Sequence, residues 1–295
     1  MTDRPGVDLT LAELMALRTA NRRAVNRPQT ALQSGAQVAN KPVSRGLDVS
    51  EIRRYQAGDE VRAIDWKVTA RRGETHVKVF EDERAKSVYL FVDLRGAMRF
   101  GTRVCLKSVL AARLAAAIGW AACAAGDRVG AWIVTDSGVE RLPDGSHDRA
   151  VRRLCHALVR NHASPVGEET IALDAATEGV SRGVLGKAEW HFISDFKDAP
   201  PEFTALGRIT AVCWHVTDPF DGALPERAGW VSGPDGVHRL STRPRDRRDY
   251  ALRHDERVGR LQQVFRGPSR RYCQISTADG DGTALHRALA GGARR

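Results

Sequence analysis

Three groups of residues in this 295-residue chain have types and spacing suited to chemistry. The first is a pair of aspartates, each closing an apolar run: Asp93 in VDLRGAM and Asp195 in ISDF. With Thr170, they offer two carboxylates and a hydroxyl, hard oxygen donors of the kind Mg²⁺ or Ca²⁺ takes. The alternative is that each aspartate caps the helix after it. The second group is Asp65-Trp66-Lys67, which fits the D-x-K half of a nuclease metal site with Asp48 or Glu51 upstream. The third is the stretch from Arg239 to Arg271, which holds eleven basic and four acidic side chains and is led by Arg243, Arg245, Arg247 and Arg248. Such a patch can read phosphates. It can equally be the solvated face of a helix over 244–266 that turns Tyr250, Leu252, Val258, Leu261 and Phe265 inward. The chain has no HExxH or GxGxxG, and Gly186-Lys187 lacks the spacing of a phosphate loop. DGDG at 279–282 lacks the acidic ligands of a calcium loop and reads as a turn.

The elements that must position these groups follow from apolar patterning. SVYLFVDL (87–94), RVGAWIVT (128–135), AEWHFISDF (188–196) and ITAVCWHVTD (209–218) are continuous apolar runs, the mark of parallel strands buried on both faces. Between them lie helical stretches at 103–125, 148–159, 170–180 and 201–207, the first rich in alanine and closed by Gly126. Short strands near 229–232 and 237–240, the basic helix, a strand at 271–275 and a helix at 281–290 complete the order. Strands alternating with helices predict an α/β fold with a doubly wound, mainly parallel sheet. In such a sheet, ligands bind at the carboxyl ends of the strands, where Asp93 and Asp195 fall. Ahead of this domain (86–295), residues 1–42 read as a helix and a linker. Residues 43–85 read as a segment dense in charge, with nine acids and nine bases, that packs on the core.

Composition is that of ordinary globular material, 42% apolar and 28% charged, with a net charge of +10. Residues 1–41 and 239–271 carry excesses of +3 and +7, which account for all of it. Five cysteines without a CxxC pair predict free thiols in a reducing compartment and no zinc site. The N-terminus has no signal architecture. The longest apolar run, Leu114–Ala125, reads as a buried helix and not as a membrane span. A soluble, cytoplasmic protein is the expectation.

The pattern of strands with Asp93, Thr170 and Asp195 resembles a von Willebrand factor A-type domain. The resemblance implies an adhesion site in which these three residues are metal ligands beside two serines. The serine positions here hold Arg95 and Ala97, so two hydroxyls are missing, and a guanidinium beside two carboxylates repels an ion or replaces it by pairing with them. The expectation is a degenerate, metal-free site without cofactor. The segment SRGLDVSEIRRYQAGDEVRAIDWKVTARRGETHVKVFEDE (44–83) resembles the signature of a bacterial family designated domain of unknown function fifty-eight (DUF58). Its pattern falls on Ser44, Gly46, Arg54, Tyr55, Gly58, Asp59, Arg62, Ile64, Asp65, Trp66, Ala70 and Arg71. The residues themselves predict a turn at Gly58-Asp59 and apolar anchors at Tyr55, Ile64 and Trp66. Arg54, Asp59, Arg62, Asp65 and Arg71 either interlock as ion pairs or form a docking surface.

That family resemblance implies a non-enzymatic adaptor or chaperone-like partner of a MoxR-type AAA+ ATPase acting on a client protein, with the Asp93/Arg95/Thr170/Asp195 edge as contact surface. Nucleic-acid binding through the basic helix is the alternative, and a metal-dependent nuclease the third reading.

Overall fold

The computed structural model describes residues 4–25, 49–54, 64–80, 85–167, 171–177, 188–197, 210–227, 229–233 and 236–279. Thr170, Tyr55, Gly58, Asp59, Arg62 and the expected helices at 201–207 and 281–290 lie outside them. The chain divides into two compact units, residues 28–85 and residues 1–27 with 86–295.

The larger unit is built on a six-stranded sheet. Its strands are β3 (Ser87–Asp93), β4 (Arg128–Thr135), β5 (Gly138–Gly145), β6 (Ala188–Ser194), β7 (Thr210–Thr217) and β10 (Arg270–Ser276). Their order is β10-β7-β6-β3-β4-β5, parallel throughout except for β5, which runs antiparallel to β4. Alternation along each strand divides two cores. Val88, Leu90 and Val92 of β3 face one side with Ile193 of β6, while Phe91, Trp190 and Phe192 face the other.

The first core is covered by α3 (Lys107–Ala125) and α4 (His147–Ala163), with α1 (Leu11–Val25) packed on both. Helix α3 lies between sheet and helices, so it is apolar nearly all round, and its alanines let neighbours approach closely. By length and composition α3 passes the test for a membrane-crossing helix, yet 72% of its apolar window is buried inside the protein. The N-terminal helix belongs to this unit. Leu9 and Leu14 are buried, Trp120 Nε1 donates to Leu14 O at 3.0 Å, and His162 Nε2 bonds Val7 O at 3.0 Å. Arg18–Asp148 and Arg113–Glu13 ion pairs flank the contact.

The second core is covered by the short α5 (Leu173–Thr177) and by α6 (Pro244–Val264), whose Leu261 joins Phe265 against Phe192 and Phe196. The inward stripe of α6 differs from the expected one at Leu252, which is 53% exposed. Two residues past Tyr250 is about 200° round a helix, so both cannot face the core, and His254, one turn on, is half-buried instead. The hairpin β8 (Trp230–Gly233) and β9 (Gly236–Arg239) precedes α6.

The smaller unit is described over an antiparallel pair, β1 (Val49–Arg54) with β2 (His76–Phe80), and over α2 (Trp66–Arg72) between them in sequence. Asp65 is the N-cap of α2, accepting from Lys67 N at 3.0 Å and Val68 N at 3.1 Å. Gly73 ends the helix at φ 74°, the left-handed conformation a helix C-terminus favours for glycine.

Candidate functional site

Strand β3 has β4 on one side and β6 on the other. The chain's path through the sheet therefore reverses between β3 and β6, the switch point at whose carboxyl ends such sheets commonly take ligands. Asp93 ends β3 and Asp195 follows β6, so the topology brings the two predicted aspartates to this one place. Both are buried, Asp93 at 0% and Asp195 at 2% exposure.

Asp93 is saturated by protein donors. Its Oδ1 accepts from Arg95 N at 3.1 Å and Arg95 Nε at 2.9 Å. Its Oδ2 accepts from Arg95 Nη2 at 2.8 Å and Ser194 Oγ at 2.7 Å. The guanidinium thus grips the carboxylate with two parallel bonds, while Nη1 donates to Ile171 O at 2.8 Å. Burial pushes the Asp93 carboxyl above its ordinary range, opposed by the Arg95 guanidinium, and nearby Asp195 adds to the rise.

A second cation serves the other half of the site. Lys107, the first residue of α3 and fully buried, donates from Nζ to Asp195 Oδ2 at 3.1 Å and to Asp221 Oδ1 at 2.9 Å. Lys197 stands at the rim, 3.8 Å from Asp195 and 3.5 Å from Asp221. Asp221 is presented by the helical turn Pro219–Gly222, where Asp218 and Asp221 form a capping box. Burial works to raise Asp221, but Lys107 and Lys197 outweigh it and hold the carboxyl below its ordinary range. Asp218 is held down in the same way, by Thr102 and Thr277 against the effect of burial.

The cluster is backed by groups that fix its geometry. Phe196 is buried at φ 47°, a left-handed conformation that costs a bulky residue about 1–2 kcal/mol, and its N–H bonds Ser194 Oγ at 3.0 Å. His215 on β7 bonds Tyr272 Oη at 2.7 Å, and burial drops its pKa to about 4, leaving a neutral ring. On the β4 side, Asp136 accepts from Gly96 N at 3.0 Å and Gly167 N at 3.3 Å, holding the turn that carries Arg95 and Ala97.

Several sequence expectations change here. Arg95 pairs with Asp93, and Lys107 takes Asp195. Asp93, Arg95 and Asp195 are too buried to be a contact surface; Ala97, Val166 and Lys197 are the exposed or partly exposed residues nearby. In the smaller unit, Trp66 is 68% exposed, where an apolar anchor was expected. Arg54 pairs with Glu74 at 2.6 Å, an exposed contact, and Asp65 Oδ1 accepts from the helix amides, while Asp59 and Arg62 lie outside the described residues. In Asp65-Trp66-Lys67, Asp65 Oδ1 caps α2, and the upstream Asp48 lies outside the described residues. Arg71 is exposed, as are Arg243, Arg245 and Arg248, whereas Arg247 is half-buried and lies 3.5 Å from Glu226.

Lys107, Ser194, Asp136, Asp218 and Asp221 were not singled out in the sequence. Of these, Asp218 and Asp221 carried a signal, because D-P-x-D reads as a cap, a first-turn proline and a reciprocal acid.

Fold and cluster define the class: a doubly wound α/β protein whose switch point is closed by its own arginine and lysine. Residues 51–257 match the model of the family described as protein of unknown function DUF58. The chain belongs to that family. It is 31% identical over 184 residues to the uncharacterized proteins Mb1516 of Mycobacterium bovis and Rv1480 of Mycobacterium tuberculosis, covering 61% of this chain and 58% of those. It is 43% identical over 44 residues to the uncharacterized protein YeaD of Bacillus subtilis, covering 15% of this chain and 11% of that one. The chain thus matches somewhat more than half the length of the mycobacterial relatives. The crystal structure of the conserved hypothetical protein BatB from Bacteroides thetaiotaomicron superposes with a TM-score of 0.40 at 12% identity, covering 70% of this chain and 98% of that one.

Proposed function

We propose that this protein is a non-enzymatic interaction module, an adaptor or chaperone-like partner of a MoxR-type AAA+ ATPase, built on a von Willebrand factor A-like domain with a degenerate adhesion site. The observation that carries the reading is the closure of the switch point. Each oxygen of Asp93 already accepts two hydrogen bonds, and Lys107 lies between Asp195 and Asp221. A divalent ion entering there meets two resident cations and a carboxylate with its lone pairs in use. Interior ion pairs of this kind fix geometry more than they add stability. The cluster in this reading is a rigid mount, and the work is done by surfaces. Trp66 with Lys67, Arg71 and Arg72 on α2 is such a surface, an exposed indole among cations, suited to an apolar notch rimmed by carboxylates on the partner. The family resemblance supplies the ATPase as partner, and five cysteines without a CxxC pair support the reducing cytoplasm as the compartment.

The test is a pull-down with the tagged protein from its own cells after nuclease treatment, read by mass spectrometry, with the Trp66→Ala variant alongside. Retention of an AAA+ ATPase by the parent and its loss in Trp66→Ala, at unchanged melting temperature, supports the reading. Absence of any such ATPase after nuclease refutes it. Calorimetry with Mg²⁺ checks the site separately: stoichiometric binding abolished by Asp93→Ala overturns its metal-free character.

A further inference from the structure

We propose that the face formed by the β8–β9 hairpin and the first turns of α6 binds single-stranded nucleic acid, a function separate from the adaptor reading and independent of it. The hairpin pairs Trp230 with Arg239 and Ser232 with Val237. Residues directly opposite, and those two positions along, share one side of a two-stranded ribbon. Trp230, Val237 and Arg239 are therefore on one face, with Trp230 at 71% and Val237 at 66% exposure and Arg239 also exposed. An indole presented so openly is a stacking platform with no protein ring upon it among the described residues.

The arginines beside it supply the phosphate contacts. Residues 236–248 contain five arginines and one acid, Asp246. Asp246 is occupied by Ser241 Oγ, and Arg247 lies beside Glu226. Arg239, Arg243, Arg245 and Arg248 are exposed and have no acidic partner among the described residues. The hairpin and helix are joined closely. Leu240 N donates to Gly229 O at 2.8 Å, closing the base of the hairpin, and Ser241 links to the first turn of α6 through Asp246 and Arg243 N. Arg239 and Arg243 lie within about 14 Å by chain length, and Trp230 sits about 5 Å across the ribbon from Arg239. Trp230, Arg239 and Arg243 thus fall within the span of a few nucleotides, with Arg245 and Arg248 following in the first turns of α6.

Charge complementarity favours a polyanion, and the open indole favours one with unpaired bases. Every base has a π face to stack, whereas duplex bases are already stacked on each other. An acidic protein segment would use the arginines but leave the platform unfilled.

The experiment is fluorescence anisotropy of a labelled twelve-residue oligo(dT) titrated with the full chain at 50 and 200 mM salt. Four neutralised phosphates on a single strand give a slope of about −2.8 in log K against log salt, or about a 50-fold loss of affinity between the two conditions. Trp230→Ala should weaken binding by about 10-fold or more with the slope unchanged. Arg243→Ala should reduce the slope by about 0.7. Both positions are exposed, and far-UV circular dichroism confirms folding. No binding at 50 mM salt overturns the proposal. So does a Trp230→Ala variant that binds like the parent, or an equal preference for a duplex of the same length; either result points to a general polyanion or acidic-protein surface instead.

Discussion

Lys107→Met removes the cation on which half the switch point depends. In the parent, Lys107 Nζ lies 3.1 Å from Asp195 Oδ2 and 2.6 Å from Asp221 Oδ2, with all three side chains at 4% exposure or less. Methionine fills nearly the same volume, so the change isolates charge from packing. It leaves two buried carboxylates facing each other with Lys197, 37% exposed, as the remaining nearby ammonium. Removing one partner from a buried pair costs about 3–5 kcal/mol. At about 2–4 °C per kcal/mol for a domain of this size, the melting temperature should fall by about 10 °C at pH 7. The pH dependence gives the sharper check. Asp221 is held below its ordinary 3.8 in the folded parent, so its stabilisation is present above that value and is lost as pH falls through the folded pKa. In the variant the Asp221 carboxyl, deprived of Lys107 and still buried, is pushed up instead, and the folded state gains a proton at a pH where the unfolded state has not. The gap between parent and variant should therefore be widest at neutral pH and narrow towards pH 4. Urea melts at pH 7, 5.5 and 4 measure it, and adding Asp221→Asn should recover part of the loss. A Lys107→Met melting temperature within about 2 °C of the parent refutes the reasoning, as does a deficit that stays constant with pH.

Other consequences follow from the same geometry. His215 is neutral with its pKa lowered from 6.5 to about 4, so its contribution is present above pH 6.5 and lost as pH falls towards 4. That amounts to about 3 kcal/mol, and a His215→Gln variant should show a flatter stability profile over this window in urea melts. Burial pushes the Cys155 thiol up to about 12 and raises Cys213 as well, so a thiol reagent such as DTNB should leave both unmodified in the native protein and titrate all five cysteines in denaturant. Leu14 is fully buried against α3, and Leu14→Ala should cost about 2–5 kcal/mol, measured by thermal melting; an unchanged melting temperature would show that α1 is not part of the folded unit.

The central sheet was legible because strands buried on both faces are continuous apolar runs, and β3, β4, β6 and β7 all read that way. Their carboxyl ends then placed Asp93 and Asp195 correctly. Strand β5 was not legible. It is an edge strand whose residues GVERLPDG include a proline and two glycines, and at an edge one side of the backbone need not donate to a ladder. Lys107 was hidden for a different reason. A lysine at a helix start reads as solvated, and its partners Asp195 and Asp221 lie 88 and 114 residues away, a pairing that no local pattern contains. Trp66 was misread because an aromatic between Asp and Lys in a patterned segment suggests an anchor, whereas burial depends on what the fold lays over it.

Arg95 and Lys107 together change what this edge can be. An open crevice with Asp93, Asp195 and Asp221 would carry three negative charges at the point where α/β sheets commonly take ligands. Here each carboxylate meets a cation of the chain itself, so the switch point is nearly neutral and closed. The two most exposed large apolar side chains among the described residues, Trp66 at 68% and Trp230 at 71%, stand elsewhere, one on each compact unit and each beside arginines. Exposed tryptophans gain nothing from folding, since an indole left in water forgoes the roughly 1.5–3 kcal/mol that burying a large apolar side chain contributes. They are therefore free to contribute it on association. The two positions are separable by measurement: Trp66→Ala should affect capture of the proposed ATPase partner without altering oligonucleotide binding, and Trp230→Ala should do the reverse. If both variants lose both partners, the surfaces are not independent, and the division of labour argued for the two units fails.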